Sequence, residues 1–206
     1  MQYSTFAAID IGSYDVILEI FEISKKQGIR SVDKICHRME LGKDTYTLRK
    51  IRPEMEEELC RVLADFVRIM EGYRVDAYRA MASSAISEAA NSLYVLGKIR
   101  QLTGLSVTVL SNSEQRFLGY KALAAMEDNF NKIIEKGTAI LDLDGGSFQI
   151  SLFDKDALVT TQNIRMGSLR IRERLAGIQS ETEHYEEMVE ELIWNEVSSF
   201  KKMYLK

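Results

Sequence analysis

Residues 6–21, FAAIDIGSYDVILEIF, decide how the chain reads. An apolar run ends in the acid Asp10, the pair Gly12-Ser13 breaks it, and a second apolar run resumes just past Asp15. That order predicts a β-hairpin whose turn presents backbone N–H groups beside a carboxylate. Such a turn suits phosphate, because unpaired N–H groups form an anion-binding concavity and the carboxylate can take a hydrated Mg²⁺. Taken alone, Asp with Gly-Ser is also ordinary turn chemistry.

A second copy strengthens the reading. Residues 139–153, AILDLDGGSFQISLF, repeat the plan, with Asp142 lying 132 positions after Asp10 and Gly145, Gly146 and Ser147 forming the break. Each hairpin is followed by a third strand-like segment ending in an apolar-Gly pair, Leu41-Gly42 and Met166-Gly167. A repeat of whole supersecondary units implies two related lobes. The expected arrangement sets the two turns across one cleft, their carboxylates close enough for one hydrated ion to bridge them.

Composition agrees with a folded chain of one large or two small domains: 206 residues, 46% hydrophobic and 28% charged. A net charge of −4 offers no bulk attraction to nucleic acid or an anionic membrane. No apolar run approaches a transmembrane span, and the N-terminus carries no signal-peptide pattern. Two cysteines, Cys36 and Cys60, and two histidines, His37 and His184, make neither a disulfide framework nor a zinc constellation. Both cysteines read as buried or inert, and the expected location is the cytoplasm.

In order along the chain, residues 31–41 read as a third antiparallel strand and Lys43 to Arg52 as a polar connection. A helix starts at Pro53 and runs to Gly72 on the stripe Leu59, Leu63, Phe66 and Met70. Residues 75–82 read as a buried strand. One helix then starts at Ser83-Ser84, carries Ala85, Ala89, Leu93, Leu96 and Ile99, and closes at Gly104. Residues 107–110 make a fifth strand, and Ser111-x-x-Glu114 has capping-box spacing for a helix to about Met126. The first lobe is thus expected over 1–126. The second, over 127–206, holds three strands (138–144, 146–153 and 157–166), a short helix over 167–175 and a longer one over 181–203.

Five stretches in unbroken order, DIGSYD (10–15), ASSAISEAAN (82–91), LSNSEQR (110–116), DLDGGSFQ (142–149) and GSLR (167–170), resemble the motifs of the exopolyphosphatase and guanosine pentaphosphate phosphohydrolase family. That family has the actin-like ATPase (ribonuclease H-like) fold. The resemblance implies an α/β protein with a five-stranded mixed sheet plus helices in the first lobe and a partial second lobe. It implies a cleft for polyphosphate or a guanosine penta- or tetraphosphate, with Mg²⁺ as cofactor. Asp10 and Asp142 would sit at the metal; Gly12, Ser13, Gly145, Gly146, Ser147 and Arg170 would hold phosphates. The family's catalytic glutamate falls on Gln115, with Glu114 one position earlier.

Departures from the family pattern gather at the chemistry: Tyr14 and Asp15 for Asn and Ser, Ile17 and Ser87 for basic residues, Asp144 for Gly, Phe148 for Thr, Gln149 for Glu. A glutamine orients water but accepts no proton. At about 5 Å from a phosphate oxygen and an effective dielectric near 20, Asp15 or Asp144 would each repel by roughly 3 kcal/mol before salt screening. Hydrolysis is therefore expected to be weak or lost. The alternatives are a ligand-binding or interaction protein without hydrolysis, and an ATP-dependent actin-like protein such as a sugar kinase. The apolar stripe from Tyr185 to Phe200 is expected to stay partly uncovered and to support a homodimer around Trp194.

Overall fold

Strand β1 (Ser4–Ile11) lies in the middle of a five-stranded sheet in the computed structural model, which describes residues 3–127, 129–176 and 184–204. Its partner β2 (Asp15–Ser24) runs antiparallel, β3 (Gly28–Arg38) extends the meander, and β4 (Ala77–Ala82) and β5 (Val107–Val109) add in parallel, for the order β3-β2-β1-β4-β5. The period of two is visible in burial: Ala7, Ile9 and Ile11 on β1 and Val16, Leu18 and Ile20 on β2 are buried. This is the mixed sheet expected of an actin-like first lobe.

Parallel neighbours need crossovers. Helices α1 (Leu41–Leu48) and α2 (Pro53–Gly72) carry the chain from the meander to β4, and α3 (Ser84–Ser87) and α4 (Ser92–Thr103) carry it to β5. Pro53 sits where helix α2 needs no N–H, and Leu59, Leu63, Phe66 and Met70 bury its stripe in the same core as the sheet.

Two local readings need correction. The segment 43–52 is largely helical, not a plain connection, because its polar side chains are buried and paired: Asp44 accepts from the Arg52 backbone N–H at 2.9 Å, and Thr45 donates to the Ala85 carbonyl at 2.6 Å. Hydropathy gives no sign of such inward polar groups. The helix expected from Ser83-Ser84 to Gly104 is two helices, since Asn91 leaves the helical path to accept from the Ile51 N–H and donate to the Ile51 carbonyl. Leu93 is consequently 87% exposed, and Val95 and Ile99 are the buried residues of α4. Cys36 is exposed; only Cys60 is buried.

The remaining elements are α5 (Asn112–Met126), α6 (Phe130–Glu135), the antiparallel meander β6 (Thr138–Leu143), β7 (Phe148–Asp154) and β8 (Ala157–Ile164), then α7 (Ser168–Leu175) and α8 (Tyr185–Tyr204). Short α6 fell in a stretch given no element by periodicity. Residues 181–183, expected at the start of the last helix, lie outside the described residues. By contact the chain divides into Met1–Ser111 and Asn112–Lys206, so α5 groups with the second unit. The reason is polar as much as apolar: Arg116 donates to Thr161 at 3.2 Å, Tyr120 donates to Ser151 at 2.5 Å, and the Tyr120 ring meets Phe153 edge-on at 5.2 Å. The second core gathers Ile150, Ile164, Met166, Ile171, Leu175 and Phe200, with Met188 and Leu192 packed against it.

Candidate functional site

The first turn is built by the antiparallel register that sets Asp10 opposite Ile17. The Gly12 N–H donates to the Asp15 carbonyl at 3.0 Å, closing the reversal. A Cβ on Gly12 would stand 3.0 Å from that carbonyl oxygen, so a larger residue would have to push the Asp15 backbone back by a few tenths of an ångström. The chain leaving β3 then folds over the turn: Met39 and Glu40 N–H groups donate to the Tyr14 carbonyl and the Gly42 N–H to the Ser13 carbonyl, each at 2.9 Å.

Side chains fix the same turn from beneath. The Ser13 hydroxyl, fully buried, is linked to the Tyr46 hydroxyl at 2.7 Å, and Tyr46 in turn to Ser84 at 2.8 Å. Ser83, whose N–H donates to the Ile11 carbonyl at 3.2 Å, keeps a buried hydroxyl with no hydrogen-bond partner among the described residues. Asp10 lies exposed at the strand end, while the Tyr14 ring carries the Arg38 guanidinium at 5.3 Å from its centroid. Sequence reasoning missed Tyr46 altogether and read Ser83-Ser84 as a helix start within the 82–91 motif, with no role for their hydroxyls. No spacing signal marks Tyr46, because its partners are 33 and 38 positions away.

The second turn repeats the first. Asp142 stands opposite Gln149, the same step of seven positions as Asp10 to Ile17, and the Asp144 N–H donates to the Ser147 carbonyl at 2.9 Å, as Gly12 does to Asp15. Here too the chain returns across the turn, with the Ser168 N–H donating to the Asp144 carbonyl at 3.1 Å and the Arg170 N–H to the Gly145 carbonyl at 3.0 Å. Arg170 Nε donates to the Gly146 carbonyl at 2.9 Å, so this arginine braces the loop itself. Asn163 donates to the Ser147 hydroxyl at 3.2 Å.

Electrostatically the second turn is acidic. Desolvation, and then the charge of Asp144, push the Asp142 carboxyl above the usual aspartate range, although its side chain is still reached by solvent. The Asp144 carboxylate also accepts the Gly145 N–H at 2.5 Å, so one of the donors expected for phosphate is already engaged. Glu114 and Gln115 occupy the first turn of α5, Glu114 exposed and Gln115 half-buried. Asp10, Gly12 and Ser13 thus belong to the first unit, and Glu114, Gln115, Asp142, the Gly145–Ser147 loop and Arg170 to the second. Among the described residues no cluster of three or more His, Cys, Asp or Glu forms a ready metal cage, and no helix is long and apolar enough to cross a membrane.

Two turns of one construction, each behind an acid, agree with comparison to known proteins, where the Ppx/GppA phosphatase family profile matches residues 19–206. The chain belongs to the Ppx/GppA phosphatase family. An Aquifex aeolicus Ppx/GppA family member of known crystal structure superposes with a TM-score of 0.72 at 23% identity, over 97% of this chain and 63% of that one. A solved exopolyphosphatase-like protein gives 0.79 at 19% identity over 98% and 62%. The bifunctional 3-dehydroquinate synthase/phosphatase of Fusobacterium nucleatum is 22% identical over 174 residues, which are 82% of this chain and 26% of that protein. This Ppx/GppA chain therefore spans less than two thirds of these relatives.

Proposed function

We propose that this chain is a cytoplasmic Ppx/GppA-type protein that binds a phosphate chain, inorganic polyphosphate or a guanosine penta- or tetraphosphate, through its Asp10 and Asp142 turns, and hydrolyses it weakly or not at all. The observation that carries binding is the duplicated turn, with its matched N–H to carbonyl closure behind Asp10 and Asp142. The orphaned Ser83 hydroxyl supplies a further buried donor beside the first copy.

Hard oxygen donors suit Mg²⁺, which is commonly held by one or two carboxylates with waters and substrate phosphates completing its shell. Asp10 and Asp142 would hold it, and bound there it would neutralise charge on phosphate oxygens. The chain's own residues decide the rest. Hydrolysis needs water oxygen to bond to the terminal phosphorus while the bridging P–O bond breaks, and the water's proton must leave. Gln115 can orient that water but takes no proton, and Glu114 is turned about 100° around the helix from it. Absence of a positioned base lowers the rate by roughly 10² to 10⁴.

The alternative, a binding or interaction protein with no turnover, is favoured by Asp144, whose carboxylate stands on the Gly145 N–H where a phosphate oxygen would compete for it. Phosphate release from polyphosphate and from guanosine pentaphosphate with Mg²⁺, alongside equilibrium binding of both, tests the proposal. The native chain should bind and release little phosphate; Gln115→Glu combined with Ser87→Arg and Asp144→Gly should raise release. Family-like turnover by the native chain would overturn the weak-hydrolysis reading, and failure to bind either compound would overturn the site.

A further inference from the structure

The face of the first sheet that carries Asp10 brings an arginine to the first turn. Side chains alternate along a strand, and residues directly opposite one another across a pair share a face. Ile11, Val16 and Leu18 are buried on one face, so Asp10, Asp15 and Ile17 stand on the other. The β2–β3 register sets Cys36 opposite Ile17 and Arg38 opposite Asp15, which adds Arg38 to that second face. Ile17 brings no charge there. Arg38 is its diagonal neighbour on β3, at a spacing of about 7–8 Å that a long side chain spans.

Backbone and side chains both hold Arg38 in place. Met39, the next residue, is buried, and the N–H groups of Met39 and Glu40 both donate to the Tyr14 carbonyl at 2.9 Å. Glu40 takes a left-handed conformation, φ 51° and ψ 42°, which is costly for a residue with a Cβ. Its Oε1 accepts from Arg38 Nε at 3.3 Å and from a terminal guanidinium nitrogen at 3.1 Å. The guanidinium rests 5.3 Å from the Tyr14 ring centroid, yet the side chain stays 67% exposed. A planar fork held this way loses little freedom on meeting a second anion. Asp10, Asp15 and Glu40 place carboxylates around the turn, and a phosphate bound there needs a cation to offset them. Hydrogen bonds from arginine to phosphate are charge-assisted and roughly twice as strong as neutral ones.

We propose that Arg38 is a phosphate-binding residue of the first turn, donating to an oxygen of a phosphate chain bound there, with Tyr14 and Glu40 positioning its guanidinium. The inference rests on the phosphate-chain reading above and adds a contact that lies outside the five motifs.

Equilibrium binding of inorganic polyphosphate and of guanosine pentaphosphate to the whole chain with Mg²⁺ tests it. Arg38→Gln should weaken binding about tenfold or more at about 0.1 M salt, and by less at about 1 M. Arg38→Lys, which keeps the charge and loses the fork, should fall between that variant and the native chain. Tyr14→Ala should weaken binding severalfold, and Tyr14→Phe, which keeps the ring, should recover most of it. Lys34→Gln controls for bulk charge: Lys34 shares the strand and face of Arg38, about 13 Å from it, and pairs with Glu19 at 3.9 Å. That variant should bind within about twofold of the native chain. Far-UV spectra and urea midpoints should stay close to native for Arg38→Gln and Lys34→Gln, because both charges lie in exposed ion pairs. Arg38→Gln binding as tightly as the native chain, or Lys34→Gln weakening binding just as much, would overturn the inference and leave the phosphate-chain reading standing. A native chain that binds neither compound would overturn both.

Discussion

Gly167→Ala isolates what holds the second turn in place. Gly167 has φ −73° and ψ 165°, a conformation open to any residue, so only space is at issue. A Cβ there would fall inside 3.0 Å of the Ser147 nitrogen, the Asp144 oxygen and the Gly145 carbonyl carbon. All three are backbone atoms, and no side chain can swing aside. The loop must retreat by roughly 1 Å to regain ordinary contact. That displacement strains the hydrogen bonds from Ser168 to Asp144 and from Arg170 to Gly145 and Gly146. With about 1 kcal/mol for each neutral bond lost and 1–3 kcal/mol for overpacking, the expected loss is about 2–4 kcal/mol. At roughly 2–4 °C per kcal/mol for a chain of this size, Tm should fall by about 5–15 °C. Calorimetry with far-UV circular dichroism reads it, and phosphate-chain affinity should fall in parallel. Gly97→Ala is the control: its Cβ would meet nothing within 4 Å, and mid-helix alanine should hold or raise Tm. A Gly167→Ala variant melting within about 1 °C of the native chain would refute the reasoning.

Tyr46→Phe should destabilise the chain by about 1–2 kcal/mol in urea, because the Ser13 and Ser84 hydroxyls lose their shared partner; an unchanged midpoint would show that the hydroxyl link carries no weight. Because the folded pKa of Asp142 is raised, its contribution to stability is complete below the unfolded pKa and is lost as pH rises through the folded one. Asp142→Asn should accordingly match the native chain below that window and exceed it in stability above. In Asp144→Asn, carboxyl NMR should find Asp142 titrating at lower pH; the same midpoint in both proteins would discard the Asp142–Asp144 interaction.

Where polarity and position agree, the elements are readable along the chain. The meander β1–β2–β3, helix α2 from Pro53 and the β6–β7–β8 hairpins all follow from alternation, helical spacing and turn residues. Helix α1 escaped because Asp44 and Thr45 point inward and are paired there, a pattern that looks like surface in a hydropathy reading. The internal repeat contained the remedy: α7 starts beside Met166-Gly167, and α1 starts at the matching Leu41-Gly42.

For the candidate site, the chain by itself determined which residue types stand behind each turn, because local backbone geometry needs glycine and small polar residues at fixed offsets from the acid. Its resemblance to the family pattern also marks Gln115 where a glutamate, Ser87 where an arginine and Asp144 where a glycine is expected. Tertiary structure alone decided what braces those turns: Tyr46 under Ser13, Arg170 on the Gly146 carbonyl, and the α7 start pressed against the Asp144–Ser147 loop. These contacts join residues some 20 to 40 positions apart, brought together when the strands pair, and no local periodicity encodes them.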